Sequence, residues 1–174
     1  MNKTKIKKIA VTAIFTAIIA ASSWISIFTP FGINLTLQLF GVCLAGFYLG
    51  AKWGVAATAV YIAIGAAGLP VFSSFTGGIG ILIGTSGGFL WGFLASSALC
   101  GVSGGQNKRA IKYLLMVLAV LICHTSGVIQ FCIVSGVNVW AGFVTASLPF
   151  FVKDFILVFI AELVARKLRS RKII

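Results

Sequence analysis

Acidic side chains are almost missing from this chain: Asp154 and Glu162 are the only two among 174 residues, and charged residues of both signs make up 9%. Soluble domains carry about a quarter, so an ordinary water-facing surface is excluded. Cysteine is scarce too. Cys43, Cys100, Cys123 and Cys132 all fall in apolar stretches, and no pair has C-x-x-C or similar ligand spacing, so neither a metal site nor a disulfide is expected. Despite twenty glycines there is no G-x-x-x-x-G-K-[ST] loop, and no hydrophilic stretch is long enough for a nucleotide-binding domain. The chain is therefore not expected to hydrolyse ATP. With two acids, one histidine and no metal cluster, catalytic equipment is nearly absent, and no cofactor is expected.

Apolar sequence fills the space. Sixty per cent of residues are hydrophobic, and uncharged runs of 43, 55 and 40 residues separate Lys8 from Lys52, Lys52 from Lys108, and Lys112 from Lys153. A spanning helix needs about 20 apolar residues. The runs predict an all-α, polytopic membrane protein, one integral domain over 1–174, with six spans near 6–28, 35–50, 53–67, 81–100, 110–135 and 143–168. A lysine-rich start before an apolar run also resembles a signal peptide, with Ala20-Ala21-Ser22 as a cleavage site, but the run continues to Phe28, too long for a signal core.

The net charge of +12 raises the possibility of nucleic acid, which the positions of the charges argue against. With a cytoplasmic N-terminus and six spans, 13 of the 14 basic residues fall on the inner side, and the three outer connections carry none. That is the bias of Lys and Arg toward cytoplasmic loops. Both termini are then cytoplasmic, the partner is the lipid bilayer, and no nucleic acid is expected.

The outer connections are residues 29–34, the long segment around 68–79, and 136–142. Within residues 65–93, nine of 29 are glycine and none is charged. Gly80, Gly84, Gly88 and Gly92 recur every fourth residue and predict one tightly packed helix face. Ala13, Ala17 and Ala21 form a related stripe on the first span, open to internal packing or to a partner membrane protein. Glu162 lies four residues before Arg166, the spacing of a helical ion pair. Asp154 lies 12 residues before Arg166, about 18 Å along a helix and so past the midplane of a ~30 Å hydrocarbon core. Lys153 beside it is the one basic residue the topology leaves over.

Ionisable groups at such depth face a bundle interior, a cavity or a partner. Non-helical backbone there survives only when buried or lining a cavity. The glycine-rich 65–80 segment, turned by Pro70, therefore reads as a lid over an outward-facing pocket at the level of Asp154. His124 and Gln130, in the fifth span, read as packing or helix-bonding residues.

Gly68-Leu69-Pro70-Val71-Phe72, then Thr76-Gly77-Gly78, then Gly84-Thr85-Ser86-Gly87-Gly88-Phe89-Leu90-Trp91-Gly92-Phe93, with Leu148-Pro149-Phe150 before Lys153-Asp154, resemble the signature of the biotin-specific substrate-binding components of energy-coupling factor transporters. The resemblance covers the whole chain. It departs at Thr85-Ser86, where the family has Pro-Thr, at Phe89, where it has tyrosine, and at Leu157, where many members have lysine.

The resemblance implies capture of biotin outside a bacterial cell, with a transmembrane coupling subunit and two cytoplasmic ATPases driving uptake and ATP used only by those partners. It implies Asp154 on the ureido N–H groups and Lys153 on the carboxylate or as charge balance for Asp154. Phe72, Phe75, Phe89 and Trp140 would be apolar walls, Ser74 and Thr76 lid hydroxyls, and Asn138 and Trp140 a closing loop. It shifts the Ala13, Ala17 and Ala21 stripe toward a coupling-subunit interface. Rival readings are another vitamin, such as riboflavin or thiamine, a stand-alone secondary transporter with Asp154 as proton carrier, and, last, a membrane enzyme.

Overall fold

The structure, a computed structural model, describes residues 3–27 and 34–171. The last residue of the first predicted span, Phe28, most of the first outer connection and Lys172 of the tail lie outside the described residues.

The described chain is nearly all helix: α1 (Lys3–Trp24), α2 (Gln38–Leu49), α3 (Ala51–Ala66), α4 (Ile79–Ile83), α5 (Gly87–Ser103), α6 (Arg109–Ser135), α7 (Val139–Ala146) and α8 (Leu148–Ser170). A two-stranded ribbon, β1 (Ser26–Ile27) against β2 (Leu35–Thr36), closes the turn after α1. Two stretches, Lys5–Trp24 and Arg109–Ser135, are long and apolar enough to cross a membrane. Large apolar side chains stand bare on the outside, Ile133 at 76%, Val139 at 72% and Val152 at 68% exposed. Such a surface suits lipid as its solvent.

The central helix is α2, which packs against α1, α3, α5 and α8. Val42, Cys43, Ala45 and Phe47 are sealed in the core it shares with Phe15, Ile19, Tyr61 and Val158. Small residues set the spacing. A Cβ on Gly88 would overlap the Ser126 carbonyl, and one on Gly92 would overlap the Ser126 hydroxyl of α6. Gly88→Leu is expected to separate α5 from α6 and lower the melting temperature sharply, overpacking costing about 1–3 kcal/mol or more; thermal unfolding in detergent measures it.

The predicted span 81–100 is not one helix. The chain breaks after Ile83, with Gly84 extended, and resumes at Gly87. The glycine stripe is accordingly split: Gly88 and Gly92 pack on α6, whereas a Cβ at Gly80 would meet open space. Gln130 of α6 bridges the break, its Nε2 donating to the Leu82 and Gly84 carbonyls at 2.8 Å each. A membrane helix can break where a neighbouring side chain satisfies the freed backbone groups.

The last predicted span, 143–168, is likewise divided. α7 ends at Ala146 and α8 starts at Leu148 with Pro149 in its first turn, where a missing N–H costs nothing. α2 is also shorter than expected; its 12 residues rise about 18 Å, well short of a ~30 Å core. Ribbon and loop backbone complete that side, and there the pocket forms.

Candidate functional site

The segment between α3 and α4 folds back against the C-terminal end of α1. Gly68 and Gly78 sit at φ +102°, a conformation that glycine adopts freely. Between them, Ser74 and Phe75 hold φ of 55° and 57°, which strains residues with a Cβ. Tertiary contacts hold the turn. Phe72 is 1% exposed, its ring over Gly65 and edge-on to Tyr61. Trp24 stacks on Phe75 at 5.2 Å and donates its Nε1–H to the Pro70 carbonyl at 2.9 Å. Ser23 Oγ donates to the Val71 carbonyl at 2.5 Å. The Asn34 side-chain amide meets the Ser74 hydroxyl at 2.9 Å and that of Ser73 at 3.4 Å.

Beneath this lid lies a cavity of about 60 Å³. Leu39, Phe89, Phe93 and Phe150 form its apolar walls, and Asn34, Thr36, Gln38 and Ser73 supply polar groups near the lid. Lys153 and Asp154 complete the lining, from the second turn of α8. Lys153 Nζ lies 2.7 Å from Asp154 Oδ1 and donates to the Thr36 carbonyl at 2.6 Å, tying α8 to β2. Lys153 thus balances the charge of its helix neighbour while its side chain also reaches the ribbon. Asp154 is 7% exposed. Its Oδ2 contacts His124 Nε2 at 3.2 Å, and His124 Nδ1 meets Ser147 Oγ at 2.8 Å. Asp154 Oδ1 is buried against the Lys153 ammonium in that ion pair. A carboxylate oxygen can accept more than one donor, so the Asp154 carboxylate lining the cavity is suited to a ligand N–H as well.

Of the residues expected at the site, Asp154, Lys153 and Phe89 line the cavity, and Ser74 touches its rim through Asn34. The others stand elsewhere. Phe72 pins the lid to α3, and Thr76 donates its hydroxyl to the Ser73 carbonyl within the lid. Phe75 is 63% exposed against Trp24. Asn138 caps α7, its Oδ1 accepting from the Ala141 N–H, after Gly136 ends α6 in the left-handed conformation. Trp140 is 74% exposed beside Phe143. The residues from 136 onward thus form a capped helix rather than a closing loop.

Asn34, Thr36, Gln38 and His124 were not singled out as site residues. Gln38 carried a signal: it is an amide inside an apolar span, and intramembrane polar groups tend to face the interior. It is buried and donates to the Tyr61 hydroxyl at 2.7 Å.

Away from the cavity, Ala13, Ala17 and Ala21 are all exposed on α1. They line a groove of about 590 Å³ with Trp24, Val60 and Leu69. At the opposite end, Glu162 receives two bonds from Arg166 Nη2, at 2.8 and 3.0 Å, and also pairs with Lys112.

A sequence profile described as the BioY family matches residues 1–173. The chain belongs to the BioY family. It is 35% identical to the biotin transporter BioY of Thermotoga maritima over 166 residues, covering 92% of this chain and 94% of the relative. It is 32% identical to the probable biotin transporter BioY of Pyrococcus horikoshii, over 95% of this chain and 98% of that one. Its fold is similar to the crystal structure of the S-component for biotin from an ECF-type ABC transporter, with TM-score 0.87 and 25% identity over 98% of this chain and 94% of that one. The broken helix, the lid and the Lys153–Asp154 pair thus stand in a BioY-family protein.

Proposed function

We propose that this chain captures biotin and serves as the substrate-specific subunit of an ECF-type transporter; it is a transport subunit and not an enzyme. The observation that carries the reading is the pair of half-buried Lys153 and buried Asp154 lining the cavity under the lid, in a BioY-family fold. Biotin offers ureido N–H groups to that carboxylate. Lys153 balances the charge of Asp154, while Phe89, Phe93 and Leu39 receive the apolar rings and chain. Asn34, Gln38 and Ser73 offer further amide and hydroxyl partners.

The cavity of about 60 Å³ is well below the roughly 300 Å³ or more that small-molecule pockets occupy. Biotin entry therefore moves the lid outward, parting Asn34 from Ser74 and loosening Trp24 from Phe75. Titration with biotin, followed by tryptophan fluorescence, is expected to give a saturable change that riboflavin and thiamine do not reproduce; no change with biotin would end the proposal.

In this reading the chain crosses a bacterial cell membrane six times with both termini cytoplasmic and the lid outside. The grouping of basic residues at one end supports it. Arg169 donates to the Phe47, Tyr48 and Gly104 carbonyls at the inner ends of α2 and α5. A coupling subunit and two cytoplasmic ATPases complete the transporter and use the ATP, and this chain needs no cofactor of its own. The exposed Ala13, Ala17 and Ala21 face receives the coupling subunit. Ala17→Trp is expected to leave biotin affinity within about twofold, as a surface change remote from the site, while abolishing co-purification with the partner subunits and biotin uptake. Unimpaired uptake would move the interface elsewhere.

A further inference from the structure

We infer that His124 is a positioning residue for Asp154: it holds Oδ2 and so fixes the orientation of the carboxylate that lines the cavity. The inference rests on reading the cavity as the biotin site. His124 comes from the middle of α6, is 4% exposed, and lies between two aromatic rings and two polar partners. Phe89 packs edge-to-face on its ring at 6.0 Å and Phe151 does so at 5.1 Å, which sets the ring plane.

Hydrogen bonding then sets the tautomer. An ionised Asp154 can only accept, so Nε2 carries the proton given to Oδ2, and Nδ1 accepts from the Ser147 hydroxyl. Ser147 is itself immobile at the α7–α8 junction. Its N–H donates to the Phe143 carbonyl at 3.0 Å, and its carbonyl accepts from the Phe150 and Phe151 N–H groups. With a neutral imidazole, the cluster of Lys153, Asp154 and His124 carries no net charge, which its apolar depth favours.

Without His124 nothing among the described residues donates to Oδ2. The carboxylate would then be held by Lys153 alone, through Oδ1, and free to rotate about that contact. That rotation would change the face it presents to the ligand. The phenylalanine contacts and Ser147 thus act on the ligand through His124 and Asp154 in series.

The experiment is a set of biotin titrations on the full-length purified chain: wild type, His124→Leu, His124→Gln, Asp154→Asn and the His124→Leu, Asp154→Asn double variant, each with its ligand-free melting temperature. His124→Leu is expected to weaken binding about tenfold or more, as loss of a hydrogen bond to a charged group does. His124→Gln, whose amide N–H replaces Nε2–H, should recover affinity to within about threefold of wild type. In the Asp154→Asn background, His124→Leu should add less than about twofold, because a residue acting through another loses its effect when that other is gone. If the leucine variant does not fold, His124→Asn, too short to reach Oδ2, replaces it in both backgrounds.

Two results overturn the inference while leaving the biotin reading standing. One is unchanged affinity in His124→Leu when Asp154→Asn weakens binding; the other is an equal His124→Leu penalty in both backgrounds. A wild-type protein that binds no biotin removes both.

Discussion

Asp154→Asn is expected to weaken biotin binding at least about 100-fold, since removing one member of a buried charge pair typically costs 3–5 kcal/mol. Asparagine keeps the shape but not the charge. It leaves Lys153, 2.7 Å from Oδ1, without its counter-ion, and it replaces one of the two acceptor oxygens by an NH₂ donor. Part of the cost will appear as lower stability, because Lys153 still reaches the Thr36 carbonyl but is otherwise an uncompensated cation. The double variant Lys153→Met, Asp154→Asn separates the two effects. It should recover much of the melting temperature, since a neutral pair of similar volume removes the buried charge, and it should not recover binding. Recovery of both would mean that the carboxylate serves the fold and not the ligand.

The second large effect is expected at the helix break. Gln130 donates from one nitrogen to the carbonyls of Leu82 and Gly84 at 2.8 Å each, and the Gly84 carbonyl also accepts from the Gly87 N–H at 3.2 Å. Gln130→Leu leaves the Leu82 carbonyl without its donor, at about 1–3 kcal/mol, and leaves the Gly84 carbonyl with only the Gly87 N–H. The fall in melting temperature should exceed that of an exposed substitution such as Ile133→Ala by several degrees. Affinity should fall as well, because α4 anchors the far side of the lid: the Gly78 N–H donates to the Gly65 carbonyl at 2.7 Å, and the Ile81 N–H to the Gly78 carbonyl at 3.2 Å. Thermal unfolding with and without biotin reads both consequences. A Gln130→Leu protein as stable as wild type would show that the break does not depend on this amide.

Some of this was legible in the sequence for a clear physical reason. Charge inside an apolar run is costly, so Lys153 and Asp154 stood out, and glycine-rich backbone at the same depth required a covered, lid-like fold. The common face of Ala13, Ala17 and Ala21 and the Glu162–Arg166 pair follow helical spacing in the same direct way, whereas the exposure of that face does not. Other parts were not legible. A glycine every fourth residue is as compatible with a continuous helix as with one that breaks at Gly84, and only Gln130 arriving from α6 decides between them. Asn138 looked like a binding amide because capping and binding ask for the same chemistry. His124 looked like packing because its partners, Asp154 and Ser147, are 30 and 23 residues away. The ribbon that brings Asn34 and Thr36 to the cavity consists of two-residue strands, too short to leave a period in the sequence.

Equilibrium binding of radiolabelled biotin to the purified chain, competed with biotin methylated on its ureido nitrogens, addresses the central claim most directly. The account predicts saturable single-site binding that unlabelled biotin displaces, and that the methylated compound, lacking the N–H for the Asp154 carboxylate, displaces poorly. Equal displacement by the two compounds would contradict it.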